Sequence, residues 1–157
     1  MISGMTELVP DAARVLRAAR EDARMTQHAL ADAVGARQPH IAGIESGKRP
    51  ASRELLERLL AATDYRPSLA VAAHRDELLA LGARRGIQNI RVFGSVARGS
   101  DHHCSDVDLL VDRQPGRDPL DVAMFVSEAT ELLGFPVDVV IDDQDLHPHI
   151  RESAVPL

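Results

Sequence analysis

Residues 92–112, VFGSVARGSDHHCSDVDLLVD, constrain this chain more than any other segment. Apolar runs bracket the stretch, IRVF before and VDLLV after, and both read as buried strands. The chain leaves the first strand at Phe93 and turns on Gly94-Ser95. After ten intervening residues it re-enters the sheet carrying Asp106 and Asp108. Side chains alternate across a strand, so carboxylates at i and i+2 share a face. Two such carboxylates repel unless a cation lies between them, and hard oxygen ligands favour Mg²⁺ or Mn²⁺ with substrate phosphates completing the shell. A Gly-Ser turn offers open backbone N–H groups for a phosphate tail. A third acid, Asp138, interrupts the apolar run FPVDVVI at residues 135–141. A buried, unpaired carboxylate is costly, so Asp138 is expected to face the same site. The bland alternatives are a solvated acidic strand end for Asp106 and Asp108, and a frayed strand edge for Asp138. Three acids on neighbouring strands beside a Gly-Ser turn favour nucleotidyl transfer.

A chain of 157 residues has room for one ordinary domain or two small ones, and 45% apolar with 27% charged residues suits a soluble globular protein. Membrane spans are not expected, because no long apolar run occurs. MISGMTELVP has neither the basic start nor the apolar core of a secretory signal. Cys104 is the single cysteine, which rules out an internal disulfide and fits a reducing cytoplasm. The tripeptide His102-His103-Cys104 invites a zinc reading, but consecutive residues lack the usual ligand spacing, so zinc is disfavoured. The net charge of −6 is unevenly spread: residues 1–67 carry +1 and residues 68–157 carry −7. Only the near-neutral first part is suited to approach nucleic acid. Arg66-Pro67-Ser68 is the expected junction, giving domains at 1–67 and 68–157.

The first part reads as helical throughout. Pro10-Asp11 is expected to open a helix with Val15, Leu16 and Ala19 on one face. Thr26 caps a second helix at 27–34 that buries Leu30 and Val34, and Gly35 makes the turn. A third runs over 38–45 with Ile41 and Ile44 inward, and Gly47 ends it. A fourth at 53–62 packs Leu55, Leu56, Leu59 and Leu60 against the others. The stretch MTQHALADAVGARQPHIAGIESGKRPASRELLERLLAA resembles the Cro/C1-type (XRE) helix-turn-helix family over nearly all of residues 10–65. The resemblance implies that the third helix enters the major groove of double-stranded DNA. The matching positions are Gln27, Arg37, Gln38 and His40 toward base edges, with Lys48 and Arg49 toward phosphates. Three positions depart from the family pattern. Arg37 stands where a Ser or Thr cap is usual, and Ala42 and Gly43 stand where Ser and Arg are frequent. The alternative is a bundle of the same shape used only for dimerisation or partner docking.

In the second part a helix is expected over 69–84, with Val71, Leu78, Leu79 and Leu81 apolar and Gly86 closing it. Strands follow at 89–93, 107–112 and 137–141, a helix at 119–133, and a short last helix at 145–153. GSVARGSDHHCSDVDLLV is similar to the minimal nucleotidyltransferase branch of the polymerase-β-like superfamily, and the likeness runs over residues 69–157. The whole is thus expected to be α+β: an N-terminal all-α helix-turn-helix bundle, then a small α/β nucleotidyltransferase domain with a mixed sheet and helices on one side. The resemblance implies that Gly94 and Ser95 hold the β- and γ-phosphates of a nucleoside triphosphate. Asp106 and Asp108 would bind two Mg²⁺ ions, with Mn²⁺ as a substitute. Asp138 would bind the catalytic ion and help deprotonate the acceptor. Arg98 and Ser105 would touch the triphosphate, the alternative for Arg98 being a surface ion pair with Asp101.

About the acceptor the residues are quieter. Minimal nucleotidyltransferases are often paired with HEPN-type RNase toxins and act as antitoxins that move AMP from ATP to a tyrosine of the toxin. The resemblance therefore implies a cytoplasmic DNA-binding antitoxin, homodimeric on paired half-sites, that autoregulates its operon. Two rivals remain at this level. One is a regulator whose transferase part only senses nucleotide or docks a partner. The other is an enzyme acting on a small molecule or tRNA.

Overall fold

A computed structural model of the protein describes residues 12–157. The helix opening expected at Pro10-Asp11 lies outside the described residues. The chain divides into two compact units, one ending at Tyr65 and the other running from Arg66 to Leu157.

The first unit holds four helices: α1 (Ala12–Asp22), α2 (Gln27–Val34), α3 (Gln38–Glu45) and α4 (Arg53–Thr63). Thr26 starts α2 by accepting the Ala29 N–H at 3.0 Å, and Gly35 ends it in the left-handed region at φ 67°. Ser52 caps α4 in the same way, accepting from Leu55 N. By contrast, α3 starts at Arg37 with no side-chain cap and has Pro39 in its first turn, where a missing N–H is tolerated. Leu16, Ala19, Leu30, Ile41, Ile44 and Leu59 are completely enclosed and form the centre of the unit. Leu55, expected in that core, is only half-buried, while Leu56, Leu59 and Leu60 supply the buried face of α4. Two arginines tie helix ends down: Arg58 donates to Val34 O at 2.5 Å and Arg17 to Glu45 O at 2.9 Å. Cations at these C-terminal carbonyls complement the helix dipole.

The second unit is a four-stranded mixed sheet with helices. It runs α5 (Pro67–Ala73), α6 (Arg75–Arg85), β1 (Ile87–Phe93), α7 (Gly94–Arg98), β2 (Val107–Arg113), α8 (Pro119–Leu133), β3 (Val137–Ile141), α9 (Pro148–Ser153) and β4 (Val155–Pro156). The sheet order is β3-β2-β1-β4, with β2 parallel to β3 and the other pairs antiparallel. α6 packs on α8 and β1, and α8 on β3. Val107, Leu109, Leu110, Val111, Phe125 and Ala129 are fully buried in this unit.

Three details depart from the sequence reading. The helix expected over 69–84 is two helices broken at His74, whose backbone (φ −111°, ψ 20°) caps both and whose ring bonds Glu77 at 2.8 Å. β1 begins at Ile87 rather than Asn89, since Ile87 and Gln88 already pair with β2, and a left-handed Asn89 (φ 47°) then marks a bulge between Gln88 and Arg91. A local break of this kind hides a strand from pattern reading. The last helix starts only at Pro148, and the chain then forms β4, where Leu157 N donates to Ile90 O at 3.1 Å. Among the described residues no helix is long and apolar enough to cross a membrane.

Candidate active site and helix-turn-helix surface

Register places the acids. Phe93 pairs with Asp108 across β1 and β2, and Asp108 pairs with Asp138 across β2 and β3. Paired residues on adjacent strands share a face, so Asp108 and Asp138 stand side by side. Asp106 lies one residue before β2. Its charge still reaches Asp108, whose carboxyl is held above the usual range by burial, then by Asp138, then by Asp106, with Arg98 opposing. Asp138, expected to be buried, is exposed: it alternates along β3 with the buried Val137 and lies on the opposite face of the strand. Its position beside Asp108 follows from register, not from the cost of burying it.

Gly94 explains the turn. It opens α7 at φ 65°, in the left-handed region where a side chain is strained, and any Cβ there would run into Asp108 Oδ2. The missing side chain therefore lets the central carboxylate pack directly against the Gly94 backbone. Ser95 follows in the first turn of α7, whose only charge is Arg98. Arg98 acts on Asp108, while Asp101 is buried and accepts the Ser68 backbone N–H at 2.7 Å. Ser105 braces its own loop: its Oγ accepts from His102 N at 2.9 Å and its N–H donates to His102 O at 2.8 Å.

The rest of the sheet shows what compensated acids look like here. Arg91 donates to Asp112 and Asp142, both at 2.9 Å, and Arg151 donates twice to Asp142 Oδ1 at 2.9 and 2.6 Å. Asp142 is accordingly held below the usual carboxylate range, chiefly by Arg151 and against some desolvation. Asp108 shifts the opposite way. Asp108 lies within electrostatic reach of Asp106 and Asp138, and three hard oxygen donors so placed fit a divalent cation of the Mg²⁺ class. Sequence reasoning missed the Arg91–Asp112–Asp142–Arg151 network. Arg91 and Asp142 are 51 positions apart, and no local spacing signals their meeting.

In the first unit the expected DNA-contact residues cluster around the start of α3. Gln38 Nε2 donates to Gln27 Oε1 at 2.8 Å, and Gln27 Nε2 donates to Glu45 Oε2 at 2.8 Å. Glu45, with only 2% of its side chain exposed, also takes Arg20 Nε at 2.7 Å and Nη2 at 3.1 Å. Burial pushes the Glu45 carboxyl up, but the bonds from Arg20 and Gln27 outweigh it and hold the group below the usual range. The sequence pattern marked Gln27 and Gln38 but not the Arg20–Glu45 pair that anchors them. Arg37, Lys48 and Arg49 are exposed and His40 is half-buried. Arg37, His40 and Arg49 line an open cleft of about 480 Å³ with Gly35, Ala36 and Pro39. A Cβ at Gly43 would lie 2.9 Å from Arg49 Cδ, so the small residue at this departure from the family pattern lets the Arg49 stem lie across α3.

Comparison with known proteins agrees with both halves. A family model for a helix-turn-helix domain matches residues 11–73, and the polymerase beta nucleotidyltransferase model matches residues 80–155. A Methanocaldococcus jannaschii protein whose name proposes protein adenylyltransferase activity is 33% identical over 69 residues, covering 44% of this chain and 73% of that one. A second protein of that organism, with a name of the same kind, is 34% identical over 67 residues, covering 43% of this chain and 68% of its own. A solved chain presented as a candidate minimal nucleotidyltransferase superposes with a TM-score of 0.51 at 42% identity, covering 57% of this chain and 95% of that one. The chain therefore belongs to the polymerase-β-type nucleotidyltransferases, as a minimal member whose transferase fold follows a helix-turn-helix domain.

Proposed function

We propose that this protein is a DNA-binding antitoxin that transfers AMP from ATP to a hydroxyl, that of a tyrosine on a HEPN-type toxin, and represses its own operon as a homodimer in the cytoplasm. The observation that carries the transferase reading is the pairing of Asp108 with Asp138 across β2 and β3, with Asp106 in electrostatic reach and the Asp108 carboxylate packed against Gly94. Protein as the acceptor draws support from the names of the two Methanocaldococcus jannaschii relatives. The helix-turn-helix domain supplies what an autoregulating antitoxin needs.

In this reading the backbone at Gly94 and Ser95 holds the β- and γ-phosphates, and Arg98 and Ser105 steady the triphosphate. Asp106 and Asp108 would hold two Mg²⁺ ions, or Mn²⁺, with Asp138 joining at the catalytic one. When bound, such ions supply charge neutralisation at the α-phosphate and the leaving pyrophosphate. Asp138 stands exposed at the sheet edge, where an acceptor approaches, and takes the proton of its hydroxyl. The acceptor oxygen bonds the α-phosphorus as the bond to the β-phosphate oxygen breaks, and pyrophosphate leaves. On DNA, Gln38 reads a base edge from a position set by Gln27 and Glu45, with Arg37 and His40 beside it. Lys48 and Arg49 meet phosphates.

The test is incubation with labelled ATP and Mg²⁺, alone and with the product of the adjacent gene, followed by intact mass. One AMP added to the neighbour, and none with Asp106→Asn, supports the proposal. Transfer instead to tRNA or a small molecule without any partner overturns the protein-acceptor reading.

A further inference from the structure

We infer that His102, His103 and Cys104 form a second metal site, for a borderline-soft divalent cation of the Zn²⁺ class. Consecutive residues seldom share a metal, because an extended chain points them apart. Here the chain is not extended. Ser105 N donates to His102 O at 2.8 Å, and His102 N donates to Ser105 Oγ at 2.9 Å, so a doubly tied turn runs from His102 to Ser105. The turn gathers one ligand atom from each of the three side chains to within 4.8 Å of one another. Among the described residues no other trio of His, Cys, Asp or Glu meets that condition.

The donors decide the metal. Two imidazoles and a thiolate prefer Zn²⁺ to Mg²⁺, whereas the aspartate cluster offers only hard oxygens and has the opposite preference. Two sites on one segment thus sort cations by softness. Three protein ligands leave one corner of a tetrahedron for water, and the exposure of His102 and Cys104 leaves that corner accessible. The one local competitor is weak: His102 Nδ1 accepts the Cys104 backbone N–H at 3.2 Å, a long bond that a cation taking Nδ1 displaces. The inference does not depend on the nucleotide chemistry, since it uses none of the three aspartates.

The experiment titrates Co²⁺ into the full-length protein in excess Mg²⁺, which saturates the hard-oxygen site, and follows thiolate-to-cobalt absorption. Zn²⁺ is then added as competitor. The expected result is one equivalent of Co²⁺ with a thiolate band, displaced by Zn²⁺. Cys104→Ser removes the band, and His103→Asn weakens binding on the order of tenfold or more. Asp108→Asn leaves the titration unchanged, and the melting profiles of all three variants report that they are folded. Absence of a thiolate band in the native chain overturns the inference. So does Zn²⁺ binding of equal strength in Cys104→Ser, or loss of binding in Asp108→Asn.

Discussion

Replacing Asp108 with Asn should stabilise the metal-free protein while abolishing transfer, and Mg²⁺ should reverse the order of stability. Burial and the charges of Asp138 and Asp106 hold the Asp108 carboxyl above its ordinary range. A group whose folded-state pKa is raised contributes stability that is fully present below its unfolded pKa, ~3.9 for Asp, and lost as pH rises through the folded value. At neutral pH the ionised Asp108 therefore weighs against the fold. Adjacent strands are ~4.8 Å apart, so like charges on paired side chains sit roughly 6 Å apart. Such a pair costs about 0.7 kcal/mol in a water-like medium and about 2.8 kcal/mol at an effective dielectric of ~20. Asp106 and Asp138 are exposed, which favours the lower end, so about 1 kcal/mol is released by the neutral isostere. For a unit of this size that raises the melting temperature by about 4–8 °C. The assay is thermal melting of both proteins in EDTA and then in Mg²⁺ with a non-hydrolysable ATP analogue. Asp108→Asn should melt higher in EDTA, and the native chain should gain more from Mg²⁺ and nucleotide. A variant that melts lower in EDTA, or an equal gain by both proteins, refutes the electrostatic argument.

Gly94→Ala should lower transfer by roughly a hundredfold, since its Cβ displaces Asp108 from working geometry; a single-turnover assay checks this, and activity within a few-fold of native refutes it. Glu45→Ala should cost about 3 kcal/mol by stranding Arg20, read as an earlier urea midpoint of the first unit. Because the Glu45 carboxyl is held low, its contribution is present above the unfolded pKa and fades as pH falls through the folded value. The native first unit should therefore lose stability on acidification, and the variant should lose less. Lys48→Ala and Arg49→Ala should each lower the salt slope of operator binding by about one, measured by gel shift or anisotropy across salt concentrations. Asp142→Asn, which loosens Arg91 and Arg151, should destabilise the second unit in EDTA, opposite in sign to Asp108→Asn.

Much of the architecture was legible because it rests on local chemistry. The cap at Thr26, the left-handed glycines at Gly35 and Gly86, and the apolar stripes of α2 and α4 act within a few residues. A reader of the chain can see them. Elements set by distant partners were not visible in this way. β4 exists only because the C-terminal residues find the free edge of β1, and β1 starts early because Ile87 and Gln88 pair with Arg113 and Asp112 of β2 ahead of the bulge at Asn89. The break at His74 divides what the hydrophobic pattern reads as one helix.

The same division holds at the candidate sites. Residue type and spacing alone picked out Gly94, Ser95, Asp106, Asp108 and Asp138 as one chemical group, since phosphate and hard cations demand those atoms. Only the tertiary structure decided that Asp138 meets Asp108 by strand register at an exposed edge, and that Asp112 and Asp142 are neutralised while Asp108 is not. It also decided that Gln27 and Gln38 hang from a buried Arg20–Glu45 pair, and that His102, His103 and Cys104 share a turn. Short-range chemistry is written in neighbouring letters. The field at a carboxylate depends on groups that only folding brings near it.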